Sequence, residues 1–88
     1  RYQEAFEVYS RAVDEGHSSV SIYANMGASA LKIGKTNLAV EILEHAIALD
    51  FNDGTSHYNL GLAYAAQGNL QKARRHMMLG MQLESINK

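Results

Sequence analysis

The chain has 88 residues, 47% of them hydrophobic and 19% charged, with a net charge of −1 and no cysteine. This describes one small domain with enough apolar material for a core, and it is too short for a multidomain enzyme. The near-neutral balance gives no field to hold a polyanion, which argues against a dedicated nucleic-acid or anionic-membrane binder, and the lack of cysteine removes disulfides, thiolate catalysis and cysteine-ligated zinc.

Apolar residues recur at helical spacing from end to end, proline is absent, and an all-α chain is expected. Tyr2, Ala5, Phe6, Tyr9, Ala12 and Val13 mark a first amphipathic helix over 2–14. Ile22, Tyr23, Met26, Gly27, Ala30 and Leu31 place a second over 20–33, and Leu38, Ala39, Ile42, Leu43, Ala46, Ile47 and Leu49 a third over 37–49. His57, Leu60, Gly61 and Tyr64 give a fourth over 55–67; Leu70, Ala73, Met77, Gly80 and Met81 give a fifth over 70–84. The breaks at Gly16-His17-Ser18-Ser19, Gly34-Lys35-Thr36, Asp50-Phe51-Asn52-Asp53-Gly54 and Gly68-Asn69 each join a residue tolerant of positive φ to side chains able to cap the next helix. Turns this short make consecutive helices antiparallel neighbours.

No apolar run approaches the roughly 18 residues of a membrane span, and a cytoplasmic location is the expectation. The chain opens on Arg1 inside a helical pattern, so it is expected to be part of a longer gene product.

Offsetting the sequence by 34 residues pairs Asn25 with Asn59, Gly27 with Gly61, Gly34 with Gly68, Ala39 with Ala73 and Leu49 with Leu83. Similar residues keep the same phase: Met26 with Leu60, Leu43 with Met77, Asp50 with Glu84. Carried backwards, the offset pairs Ala5 with Ala39, Tyr9 with Leu43 and Ala12 with Ala46. The expected organisation is therefore a second helix of a truncated repeat at 1–19, a whole repeat at 20–53, and another with the C-terminal end at 54–88.

This period, with Asn59-Leu60-Gly61, Tyr64, Gly68, Ala73 and the Ala46-Ile47-Ala48-Leu49-Asp50 ending, resembles the tetratricopeptide repeat family over the whole chain. The resemblance implies helix pairs stacked as a right-handed α-solenoid, about two and a half repeats in five helices. Gly27 with Ala39, and Gly61 with Ala73, would be the small residues where paired helices cross, while Ala12, Ala46 and Gly80 would be the small contacts toward the following helix. The sequence departs from the family where His17, Phe51 and Ser85 replace the closing proline, and where Tyr23 and His57 replace the tryptophan; His57 is the poorer filler. The Sel1-like repeat is the nearest rival, but the five-residue step from Gly34 to Ala39 and from Gly68 to Ala73 favours the tetratricopeptide spacing. Pentatricopeptide repeats share the period but are usually basic.

No catalytic set, metal site or cofactor motif is present, so the chain does not read as an enzyme. His17, His45, His57 and His76 have no partner at i, i+4 and lie in no zinc-protease motif. Asp50 to Gly54 lacks the glycine position and closing glutamate of a calcium loop and reads as a turn. Lys72, Arg74, Arg75 and His76 fall away from the Ala73 and Met77 stripe and read as a solvated outer face.

The resemblance further implies a concave groove, lined by the first helix of each repeat, that holds another protein or a peptide. Its residues would be Ser21, Ala24, Asn25, Ala28 and Lys32 on the second helix, and Thr55, Tyr58, Asn59, Leu62 and Ala66 on the fourth. Asn25 and Asn59 suit a ligand backbone, with Tyr58 and Leu62 as apolar anchors. The family's grip on acidic chaperone tails needs cations beside such asparagines; Ser21, Ala24, Ala28, Thr55, Tyr58 and Leu62 supply none.

An alternative is self-assembly through the C-terminal helix, with Met77, Gly80 and Met81 as an end face. Residues 1–19 carry two bases and four acids, 20–53 two and four, and 54–88 four and one, so the ends are oppositely charged. A homo-oligomer built head to tail would be heterologous, able to continue as a filament or close as a ring.

Overall fold

The computed structural model describes residues 1–86 and contains five α-helices: α1 Tyr2–Asp14, α2 Val20–Lys32, α3 Thr36–Leu49, α4 Gly54–Ala66 and α5 Leu70–Ile86. The end of the expected third unit, residues 87 and 88, lies outside the described residues.

Three of the four turns use one device. Gly16, Gly34 and Gly68 adopt φ of 97°, 87° and 84°. Their left-handed backbone lets the next amide reach back five residues: His17 N–H donates to Ala12 C=O, Lys35 N–H to Ala30 C=O and Asn69 N–H to Tyr64 C=O, at 3.0, 2.9 and 2.9 Å. Side-chain caps start α2, α4 and α5, whereas α3 begins after Lys35 without the side-chain cap expected there. Ser19 Oγ accepts from Ile22 N–H, Asp53 Oδ2 from Ser56 N–H and Asn69 Oδ1 from Lys72 N–H.

The turn before α4 differs from expectation. Gly54 is the first residue of α4 and has no positive φ. Asp50 makes this bend instead, its Oδ1 accepting from Asn52 N–H at 3.0 Å.

Each helix packs on its sequence neighbours, and α2 also touches α4. The core is built from Met26, Ala30, Ala39, Val40, Ile42, Leu43, Leu60, Ala63, Tyr64 and Ala73, with Phe6, Tyr9, Val13, Tyr23 and Ile47 against it. A Cβ on Gly27 would lie 2.5 Å from Leu43 Cγ, and one on Gly61 only 2.8 Å from the Ala73 carbonyl oxygen and 2.9 Å from Met77 N. Backbone and side chain pack too closely at these crossings to admit even a methyl group.

Gly80 makes a second close contact, which the sequence reading did not anticipate. A Cβ there would meet Gly54 O at 2.6 Å and Tyr58 N at 2.7 Å, and one on Gly54 would meet Gly80 O at 2.7 Å. Gly80 is thus buried against α4 of its own pair. With Gly61 it makes two close approaches along the α4–α5 crossing. Leucine or alanine at 80 would displace the start of α4, whereas glycine lets the two backbones touch.

Candidate protein-binding surface

The sequence-predicted groove residues are carried on α2 and α4, whose exposed sides are set by what their opposite sides bury. On α2, Ala24, Met26, Gly27 and Ala30 are buried, leaving Ser21, Asn25 and Lys32 exposed and Ala28 half-buried. On α4, Leu60, Gly61 and Tyr64 are buried, leaving Thr55, Tyr58 and Ala66 exposed and Asn59 and Leu62 half-buried. Ala24, expected in the groove, is 4% exposed and closed off by packing. The other groove positions remain open to solvent. Lys32 Nζ lies 6.0 Å from the Tyr2 ring centroid, which holds that cation toward α1.

Two recesses lie on α4 and α5. One, of about 410 Å³, is lined by Thr55, Tyr58, Gly80, Met81, Glu84 and Ser85. The other, of about 370 Å³, is lined by Ala65, Leu70, Ala73, Arg74, Met77, Met78 and Met81. Of the groove set only Tyr58 lines either one. Of the end-face set Met77 is half-buried against Gly61, while Met81 is 61% exposed and shared by both recesses.

Sequence reasoning missed a polar cluster between α4 and α5. His57 is fully buried, its Nε2 2.7 Å from the Phe51 carbonyl oxygen and its Nδ1 3.2 Å from His76 Nδ1. Because a carbonyl only accepts, Nε2 of neutral His57 carries the proton, Nδ1 accepts, and His76 Nδ1–H donates. The rings stack at 5.4 Å and 13°, and the Phe51 ring meets His57 edge-on at 4.8 Å. His57 therefore fills the family's tryptophan place with every ring nitrogen used, rather than poorly. His76 is turned inward, correcting its reading as solvated, while Lys72, Arg74 and Arg75 are exposed as expected. One signal was available: the 34-residue offset pairs His76 with the buried Ile42.

Burial lowers the His76 pKa from its ordinary value, and the neighbouring His57, Arg75 and Lys72 lower it further, against a smaller opposing effect of Glu44. Tyr64 Oη–H donates to Glu44 Oε2 at 2.8 Å. Burial first, and then this bond and charge, push the Tyr64 phenol up to about 12. The cluster is a set of satisfied hydrogen bonds between helices. Among the described residues no group of three or more histidine, cysteine or acidic side chains is placed to hold a metal ion, and no helix is long and apolar enough to cross a membrane.

The groove helices and their turns have counterparts in known proteins. The chain is 26% identical over 86 residues to DnaJ homolog subfamily C member 7 of Mus musculus and of Homo sapiens, covering 98% of this chain and 17% of each relative. It therefore spans a small part of those proteins. Among solved structures it is similar to the second TPR of Spaghetti (RPAP3) bound to HSP90 peptide SRMEEVD, with a TM-score of 0.86 and 27% identity, over 93% of this chain and 71% of that one. It shares its fold with MamA MSR-1 C2 at a TM-score of 0.84 and 17% identity, over 99% of this chain and 50% of that one. The tetratricopeptide repeat model matches twice, at residues 20–53 and 54–87, in step with the Gly27–Leu43 and Gly61–Ala73 close approaches, and the chain belongs to the tetratricopeptide repeat family.

Proposed function

We propose that the chain is a scaffold or adaptor module that holds a peptide or helix of another protein against α2 and α4. The observation that carries this reading is the open row of Asn25, Ala28 and Lys32 on α2 beside Tyr58, Asn59 and Leu62 on α4. The amides offer paired donors and acceptors to a ligand backbone, and Tyr58 with Leu62 offers apolar area. The 27% identical relative that holds an HSP90 peptide supports peptide binding by this architecture. That peptide, SRMEEVD, is acidic. Here Ser21, Ala28, Thr55, Tyr58 and Leu62 put no cation at the groove centre, so the ligand is a neutral, partly apolar segment rather than an acidic tail.

Residues 1–19 fit as the second helix of a repeat. Ser10 Oγ contacts Met26 Sδ on the following helix at 3.6 Å, and Glu44, thirty-four residues on, likewise bonds the helix that follows it, accepting from Tyr64.

Peptides selected from a random display library against the chain provide the probe. Their backbone-shift footprint by NMR should fall on Asn25, Tyr58, Asn59 and Leu62, and Asn25→Ala with Asn59→Ala should weaken them about tenfold with helicity intact. SRMEEVD should bind far more weakly than the selected peptides. Selected peptides that bind the double variant unchanged, yet lose affinity on substitution of Arg74, would overturn the groove reading.

A further inference from the structure

The His57 and His76 rings present their Nδ1 atoms to each other. The nitrogens are 3.2 Å apart, the ring centroids 5.4 Å apart and the planes 13° from parallel. The centroid separation exceeds the nitrogen separation by nearly two ring radii, so both Nδ1 atoms lie close to the line joining the rings. Their in-plane lone-pair directions therefore meet midway, where the single shared proton now sits.

His57 is already held as a metal ligand is held. It is fully buried, and its Nε2–H donates to the Phe51 carbonyl oxygen at 2.7 Å, which leaves Nδ1 unprotonated and fixes the ring. A backbone carbonyl on the second nitrogen is the usual support for a metal-bound imidazole. His76 becomes the second ligand by a change of tautomer: its proton moves from Nδ1 to Nε2, the ion takes the vacated place, and no proton leaves the chain. The ring is half-buried on α5, so its open edge gives the ion a way in.

We infer that this pair binds one Cu(I) ion, in line between His57 Nδ1 and His76 Nδ1. Two neutral imidazoles in line suit a closed-shell monovalent ion, which accepts two ligands. Among the described residues no group of three or more histidine, cysteine or acidic side chains is placed to complete a tetrahedral or octahedral set, so Zn²⁺ and the harder divalent ions lack ligands. Facing the pair are Glu44 from α3, Tyr64 from α4, and Lys72 and Arg75 from α5. Tyr64 spends its hydroxyl on Glu44. The two cations oppose any metal ion and Glu44 offsets part of this, so a single positive charge is opposed least. Bonds of about 2 Å each set the nitrogens about 4 Å apart, so His76 need withdraw by less than about 1 Å.

Silver(I), which shares the charge and linear preference of Cu(I) and keeps its oxidation state, is the first probe; Cu(I) under anaerobic conditions with a competing chelator is the second. The chain should bind one equivalent of each and melt at a higher temperature in its presence. The side-chain nitrogen resonances of His57 and His76 should move, and those of His17 and His45 should not. X-ray absorption of the Cu(I) form should show two nitrogen neighbours and no sulfur. His76→Gln, with folding checked by circular dichroism, should lose more than the roughly 10- to 100-fold that removal of an outer partner costs. Met78→Leu with Met81→Leu deletes the exposed thioethers, which also attract Cu(I), and should bind as the wild type does. Sulfur neighbours, absence of one-to-one binding, Zn²⁺ bound as tightly as silver(I), or a folded His76→Gln that keeps wild-type affinity would overturn the inference.

Discussion

His57 Nδ1 lies 3.2 Å from His76 Nδ1, so the pair can carry its single shared proton in one arrangement only. His57 is committed through Nε2–H to the Phe51 carbonyl, which makes His76 the donor. Facing the pair are Lys72 and Arg75 from α5 and Glu44 from α3. Burial first, and then the two cations, oppose a charge on His76 more than Glu44 favours one.

Stability should therefore fall on acidification. The His76 pKa is lower in the folded chain than in the unfolded one, so the unfolded state takes up the proton first as pH drops through about 6.5. The contribution is complete above that pH and is lost as pH falls toward the folded value, with a slope of at most about 1.4 kcal/mol per pH unit for one proton. Urea unfolding at pH 8, 7, 6 and 5 should show the loss, and His76→Gln should flatten it. Equal pH dependence in the variant would place the titration elsewhere.

His57→Leu should cost about 1 to 3 kcal/mol, because the Phe51 carbonyl loses its donor and His76 its acceptor while leucine keeps most of the volume. Equilibrium denaturation against wild type measures it, and a loss well under 1 kcal/mol would mean that water replaces the imidazole.

The glycines at the crossings should rank by what they meet. Gly61→Ala and Gly80→Ala drive a methyl into backbone atoms and should each cost about 1 to 3 kcal/mol or more. Gly27→Ala drives its methyl into the Leu43 side chain rather than into backbone, and should cost less than either. Gly61→Leu should cost more than Gly61→Ala. Thermal melts of the set check the ranking, and an unchanged Gly80→Ala would remove the close α4–α5 approach.

Tyr64 should titrate late. Ultraviolet titration of the five tyrosines should leave one phenol unionised until about pH 12, and Tyr64→Phe should remove it. The folded pKa is raised, so the stabilisation is whole below about pH 10, where the unfolded phenol ionises, and is lost as pH climbs through the folded value. The missing bond to Glu44 should cost about 1 kcal/mol near neutral pH.

The primary sequence determined what depends on neighbours along the chain. A 3.6-residue apolar rhythm, three turn glycines, two of them followed by capping side chains, and a 34-residue period are local or additive signals, and they yielded five helices with ends correct to within two residues. The period also placed Gly27 and Gly61 at helix crossings, because those positions repeat. Other features required the folded chain. Gly54 reads as a turn residue until Gly80, twenty-six residues later, packs on its backbone; His76 reads as one of a basic outer cluster until the roll of α5 turns it onto His57. A helix carries its residues around all sides, and which side is covered depends on the roll and spacing of the neighbouring helix. Those are set by the sum of many contacts rather than by any residue's own pattern, so only the tertiary structure decided that Gly80 seals its own pair, that Ala24 is shut away, and that Met78 and Met81 stand open.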